Sequence, residues 1–137
     1  MRRVGAGVAV LKAGEVLLIR RGDNGLWDIP GGGRRWWETP ARAARRELAE
    51  ETGLSVGALH PLGVFQHRHT YLDGNTVDWE THVFTSEYAG GEARAGDDAH
   101  ETRWWPQDAL PQAVSDATAR YFAALRQPPP LRQHAGA

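Results

Sequence analysis

Cysteine is absent from this chain of 137 residues, which excludes disulfide bonds and a catalytic thiol. An excess of one charge is also lacking, because the formal net charge is −1. No overall positive field is therefore available to recruit nucleic acid or anionic lipid. No apolar run is long enough to cross a bilayer. Arg2 and Arg3 precede an alternating, strand-like segment, which does not resemble a signal sequence. We expect a soluble cytoplasmic protein with no stable nucleic-acid partner and no membrane association.

The length favours one domain, because a chain of this size can build one substantial core but not two ordinary ones. Residues 1–126 are expected to form that domain. Residues 127–137 include three consecutive prolines and are expected to form a flexible C-terminal tail. A β-hairpin is predicted for residues 4–11 and 15–20, which are apolar, β-branched runs separated by a short turn.

Further strands are predicted at residues 57–71 and 76–88, which are joined by a turn, and at residues 102–105. A short turn of helix is expected near Asp108, and a longer helix is expected over residues 115–125 with Ser115 as its N-cap. A polar loop should cover residues 90–98. Strands flanked by helices imply the α/β class, as an α/β/α sandwich with a mixed β-sheet.

Residues 40–52 predict a helix with well-defined ends. Thr39 suits the N-cap, Pro40 the first helical position, and Gly53 the left-handed residue that closes the helix. At about 100° per residue, one stripe is apolar and is expected to be buried. Its members are Ala41, Ala44 and Leu48.

Three glutamates occupy the arc beside this stripe, at spacings of i, i+3 and i+4: Glu47, Glu50 and Glu51. Arg42 and Arg46 lie on the other side, so the charges are segregated, and only Arg46 with Glu50 has opposite signs at i,i+4, in the poorer orientation. Like charges at i,i+4 cost roughly a few tenths of a kcal/mol each. A divalent cation would turn the repulsive cluster into ligands, and carboxylate oxygens suit Mg²⁺ or Mn²⁺. On geometry alone, a metal site and a solvated surface helix both stay open.

A wider pattern surrounds these glutamates and includes a glycine run, Gly31 to Gly33, where the backbone can approach a ligand closely. The pattern resembles the Nudix box, the signature of the Nudix hydrolases, at nine positions: Gly32, Glu38, Arg46, Glu47, Leu48, Glu50, Glu51, Gly53 and Leu54. So many constrained positions at fixed spacing make chance a poor explanation. The resemblance implies the Nudix fold and a hydrolase.

The resemblance also implies roles for individual residues. A divalent metal, Mg²⁺ or Mn²⁺, would be held by three glutamates and one backbone carbonyl: Glu47, Glu50, Glu51 and Gly31. The arginine matching Arg46 orients acidic side chains, with Glu38 as its expected contact. Leu48 and Leu54 match positions that anchor the helix to the core.

The resemblance leaves the general base open between Glu47 and Glu50. Glu101 is a further candidate, because relatives often place a metal-binding or catalytic acid on the loop before a comparable Arg-Trp strand. A solvated loop glutamate is the competing interpretation of Glu101.

Substrate contacts are less constrained. Four arginines flank the glycine run, and guanidinium groups suit phosphate oxygens: Arg20, Arg21, Arg34 and Arg35. Trp36 and Trp37 stand where the family often has glycine. They are expected to cover the core, with a stacking surface for a base as the alternative.

The resemblance implies cleavage of a phosphoanhydride in a nucleoside diphosphate linked to another group. The proline typical of ADP-ribose enzymes is missing, and the patterns of coenzyme A and NADH enzymes are not evident. Tyr71 lies 17 residues after Leu54 (71 − 54), a spacing found in diadenosine polyphosphate hydrolases. We expect a nucleoside di- or triphosphate, or a dinucleoside polyphosphate, as substrate. A nucleotide-sugar pyrophosphatase and a non-catalytic nucleotide-binding sensor are the alternatives, and a homodimer stays open.

Overall fold

Seven strands and two helices are present in the computed structural model, which describes residues 1–126. The predicted tail, residues 127–137, lies outside the described residues. In chain order the elements are β1 (Arg2–Lys12), β2 (Glu15–Arg21), β3 (Trp27–Asp28), β4 (Gly31–Gly33), α1 (Pro40–Thr52), β5 (His60–Thr70), β6 (Thr76–Glu87), β7 (Ala99–Pro106) and α2 (Asp116–Arg126).

The strands form one mixed sheet in the order β3-β2-β1-β6-β5, with β4 paired to β1 and β7 paired to β2. The β1–β6 pair is parallel and the other pairs are antiparallel. Leu17 packs with the buried residues of α1, whereas Leu18 packs with those of α2. Successive strand residues point to opposite faces. The helices therefore cover opposite faces of the sheet, which confirms the predicted α/β/α sandwich.

Most elements lie where the sequence predicts them. The β1–β2 hairpin, the β5–β6 hairpin and α2 are confirmed, and the Thr118 amide donates to the capping oxygen of Ser115 at 3.1 Å. Two details were wrong. β7 begins at Ala99 and not at Thr102, and the helical turn expected near Asp108 is a non-helical turn.

Both ends of α1 match the prediction. Thr39 accepts a hydrogen bond from the Arg42 amide at 3.2 Å, and Gly53 adopts φ 75° and donates to Ala49. The buried stripe differs at one position. Ala41 is only half-buried, because Ala43 enters the core cluster on this face of the sheet instead. Ala44, Leu48 and Leu54 are buried as expected.

Candidate functional site

The glycine strand β4 lies directly against the acidic face of α1. A Cβ added to Gly32 would stand 2.7 Å from the Cδ atom of Glu47, and one added to Gly31 would stand 2.6 Å from the carbonyl oxygen of Ala6. At Gly31 the backbone of β1 leaves no room for a side chain, and at Gly32 a side chain would displace the Glu47 carboxylate. The glycines therefore allow the close approach that the sequence predicts, and they place backbone groups beside the glutamates.

A cavity of about 260 Å³ opens where β4 meets α1. Three of the four predicted metal ligands, Gly31, Glu47 and Glu51, line it together with Gly32 and Gly33. Arg21, one of the arginines predicted to contact phosphate, also lines it, whereas three lining residues were not predicted: Ile19, Trp79 and Asp98. A larger cavity of about 460 Å³ shares Arg21 and Asp98 with this one, but it is lined by no residue of α1.

Glu51 is the most deeply placed acid of this cavity, with 8% of the residue exposed. Its Oε1 atom accepts a hydrogen bond from the Gly31 amide at 2.8 Å. Burial raises the pKa of Glu51 to about 8, and burial also raises the pKa of Glu47. Glu51 therefore favours the protonated form near neutral pH in the metal-free protein.

The raised pKa of Glu51 predicts a pH dependence of stability in the metal-free protein. The unfolded chain releases this proton near pH 4.5, whereas the folded chain keeps it until about pH 8. The contribution of Glu51 to stability is therefore complete below pH 4.5 and is lost as pH rises through about 8. We expect the melting temperature in EDTA to fall across this window, and Glu51→Gln to flatten the fall.

Glu92→Gln is the matched control for this measurement, because Glu92 has a side chain that is 83% exposed. It should keep the wild-type slope of melting temperature against pH. A wild-type melting temperature that rises across the window, or a Glu51→Gln variant with an unchanged slope, would contradict the assignment.

Arg46 is bonded through all three of its guanidinium nitrogens. Nε and Nη2 donate to the two oxygens of Glu38 at 2.7 and 2.8 Å, and Nη2 also donates to the Gly33 carbonyl at 3.0 Å. Nη1 donates to Glu47 at 2.9 Å and to Glu50 at 3.2 Å. The guanidinium lowers the pKa of Glu38 to about 2. The contact between Arg46 and Glu38 that the family resemblance implies is therefore confirmed.

The expectation that the charges of α1 are segregated and not paired was wrong for Arg46. Arg46 precedes Glu47 directly and lies four residues before Glu50, so its guanidinium reaches both carboxylates. The i,i+4 spacing of Arg46 and Glu50 was the available signal. The same arginine joins the β4–α1 loop, through Glu38, to the acidic face of the helix.

The donor set fits a hard divalent cation. Among residues 1–126, no three His, Asp or Glu side chains are arranged to hold a metal ion as they stand. Arg46 bonds two of the glutamates and Gly31 bonds the third. The carboxylates beside the glycine backbone are nevertheless the oxygen ligands that Mg²⁺ and Mn²⁺ prefer. The groups that would hold such an ion are Glu47, Glu50, Glu51 and the Gly31 carbonyl.

Two predicted residues lie away from this cavity. Ile19 and Arg21 of β2 line it, so Arg20 between them points to the opposite face of the sheet. There the Nε atom of Arg20 lies 3.0 Å from the Oε1 atom of Glu101, its partner in the β2–β7 register. The expected loop position of Glu101 was wrong, because β7 already includes this residue.

The acids on the loop before β7 are Asp97 and Asp98, and Asp98 lines the cavity. This loop is fixed to the end of α1, where the Gly96 amide donates to the Glu51 carbonyl at 3.1 Å. Sequence reasoning missed Asp98 because it took the acid closest to the Arg-Trp strand. The paired aspartates in the polar loop were the available signal.

The other predicted contact residues do not line this cavity. Arg34 and Arg35 are both exposed, and the Nη2 atom of Arg35 lies 3.8 Å from the Oε1 atom of Glu50. Tyr71 lies beyond β5, 42% exposed, with its ring against His69. Trp36 and Trp37 are 86% and 59% exposed, so the expectation that they cover the core was wrong.

No helix among residues 1–126 is long and apolar enough to cross a membrane.

Comparison with known proteins gives a consistent result. The family model described as the NUDIX domain matches residues 1–125. An oxidized purine nucleoside triphosphate hydrolase of Danio rerio is 36% identical, over 76% of this chain and 66% of the relative. An ADP-ribose pyrophosphatase of Methanocaldococcus jannaschii is 35% identical, over 77% of this chain and 62% of the relative. The crystal structure of a MutT NUDIX hydrolase from Burkholderia pseudomallei superposes with a TM-score of 0.81 at 33% identity. That superposition covers 91% of this chain and 98% of the other.

Proposed function

This chain belongs to the Nudix family, and because it is a pyrophosphohydrolase, we propose that it hydrolyses a phosphoanhydride of a nucleotide with Mg²⁺ or Mn²⁺. Its substrate is a nucleoside di- or triphosphate, or a dinucleoside polyphosphate. Family members generally use divalent metal ions. The observation that carries the proposal is the placement of Glu47 and Glu51 in one cavity with the side-chain-free backbone of β4.

The reaction requires a water to attack phosphorus while the P–O–P bond breaks and the leaving phosphate departs. The metal, when bound, neutralises phosphate oxygens and lowers the pKa of the water. The water's proton passes to a glutamate. Glu47 is better placed for this than Glu50, because Glu47 lines the cavity and Glu50 does not. Arg21 and Arg35 supply positive charge beside the phosphates.

Three further expectations belong with this proposal. The cytoplasmic location and the homodimer stay predictions. The non-catalytic sensor is set aside, because the chain is a member of a hydrolase family and keeps all three glutamates.

We expect phosphate release to depend on divalent metal. Purified protein should turn over nucleotide in Mg²⁺ or Mn²⁺ and should stop when EDTA exceeds the metal, because the carboxylates alone cannot neutralise the phosphate oxygens. Activity should return when metal is added back in excess of EDTA. Full turnover in excess EDTA would overturn the metal-dependent mechanism.

A substrate panel tests the nucleotide class. The panel contains nucleoside di- and triphosphates, diadenosine polyphosphates, ADP-ribose and a nucleotide sugar. We expect the highest kcat/KM for the first two groups, with a nucleoside monophosphate among the products. A tenfold preference for the nucleotide sugar or for ADP-ribose would overturn this choice of substrate and leave the hydrolase assignment intact.

A further inference from the structure

Trp79 of β6 lines the cavity, although no motif in the sequence marks it as a site residue. It lines the same 260 Å³ cavity as Glu47 and Glu51. Among the described residues that line this cavity, no other has an aromatic side chain. Trp79 is half-buried and belongs to neither of the two core clusters. Its indole therefore has a position that packing of the core does not explain.

Two glycines allow the indole to reach the cavity. A Cβ added to Gly5 would stand 3.3 Å from Cε3 of Trp79, and one added to Gly33 would stand 3.6 Å from Cη2. The ring thus lies across the backbones of β1 and β4, at the end of the glycine strand that lines the acid cavity. A side chain at Gly5 would crowd the ring, whereas Gly33 is in ordinary contact distance of it.

Arg3 supports this arrangement. Arg3 and Trp79 are direct partners in the β1–β6 register, and the guanidinium carbon of Arg3 lies 5.2 Å from the centroid of the indole ring. A cation at this distance interacts favourably with the ring face. The ring is therefore held in place without being enclosed by the core, as a preorganised stacking surface requires.

The size of the cavity indicates what the indole contacts. At about 260 Å³ the cavity is smaller than the roughly 300–1,000 Å³ typical of pockets that enclose a whole small ligand. It suits the phosphate end of a nucleotide, so the base must rest on the wall or rim. The other exposed aromatic candidates, Trp36, Trp37 and Tyr71, do not line this cavity.

We propose that Trp79 is the stacking platform for the nucleobase of the substrate, and that it gives purine nucleotides an advantage over pyrimidine nucleotides. This inference rests on the proposed nucleotide hydrolase function. Stacking requires a flat π-surface, and a purine offers more of it than a pyrimidine. Stacking of a base on one aromatic side chain changes affinity by a factor on the order of 10 to 100.

The test compares GTP, UTP and inorganic tripolyphosphate, which has the phosphates but no base, at fixed free Mg²⁺. KM is measured for the nucleotides and an inhibition constant for tripolyphosphate. In Trp79→Ala the KM for GTP should rise about 10-fold or more, the rise for UTP should be smaller, and the inhibition constant of tripolyphosphate should change less than about 3-fold. Trp79→Phe should recover most of the affinity for GTP. Trp37→Ala, a matched exposed tryptophan on the β4–α1 loop, should keep the wild-type constants.

Each other outcome overturns the assignment of Trp79. An unchanged KM for GTP in Trp79→Ala shows that the base lies elsewhere. A parallel loss for GTP and tripolyphosphate, not recovered by Trp79→Phe, shows that Trp79 only supports the fold. A rise in the KM for GTP in Trp37→Ala but not in Trp79→Ala would show that the base stacks on Trp37 of the β4–α1 loop. Failure of the wild-type protein to hydrolyse any phosphoanhydride would instead refute the proposed function itself.

Discussion

Glu51→Gln is expected to lower kcat by a factor on the order of 10³ while the protein stays folded. Loss of one metal ligand should remove several kcal/mol of transition-state stabilisation, and about 4 kcal/mol corresponds to this factor. The fold should survive because the amide oxygen of glutamine can still accept the hydrogen bond from the Gly31 amide. Glu50→Gln should lose a similar factor, measured at saturating metal for both variants.

The control is again Glu92→Gln, which removes an acid from an exposed loop and should keep wild-type kcat. Circular dichroism and melting temperature establish that each variant is folded. A kcat within about threefold of wild type in Glu50→Gln or Glu51→Gln would remove that residue from the metal site. Loss of folding in Glu51→Gln would show that its carboxylate is structural.

Arg46→Ala should lower both activity and stability. The change removes bonds to three carboxylates and one backbone carbonyl at once, and leaves Glu38 partly buried without its partner. It also releases the β4–α1 loop from the helix. We expect a melting temperature about 5–10 °C lower, the shift expected in a domain of this size when the free energy of unfolding falls by roughly 2 kcal/mol. We also expect kcat about 10–100-fold lower, as for residues that orient metal ligands.

Arg42→Ala is the matched control, because Arg42 lies on the same helix and is exposed. It should change neither quantity measurably. Arg46→Lys should restore little, because a single ammonium cannot reproduce the two-pronged contact with Glu38. Lost activity at an unchanged melting temperature would instead favour direct contact between Arg46 and substrate.

Local chemistry explains why α1 could be predicted almost to the residue. Thr39, Pro40 and Gly53 each act within one turn of their own position, so their effect does not depend on the rest of the fold. The spacing of the glutamates is fixed by the helix in the same way. The strands of both hairpins follow from alternating apolar residues between turn residues, which is also local.

The surroundings of α1 depend on contacts between segments far apart in sequence. Arg20 and Arg21 are neighbours in the chain, yet only Arg21 lines the cavity, because the face of β2 that it shares with Ile19 is turned towards α1. Asp98 could not be distinguished from Glu101 until β7 was seen to begin at Ala99. A difference of three residues in one strand boundary decides which acid reaches the site.

By itself, the sequence determined the family, the acidic helix and the identity of the candidate metal ligands, because these depend on residue types at fixed spacing along one helix and its preceding loop. Only the tertiary structure decided that the Arg46 guanidinium joins Glu38 of the loop to the acids of α1, that burial raises the pKa of Glu51, and that Trp79 lines the same cavity. The physical reason is the range of each effect. Capping and helical periodicity act over a few residues, whereas burial, charge pairing and cavity shape depend on how β1, β4, β6 and α1 are packed together.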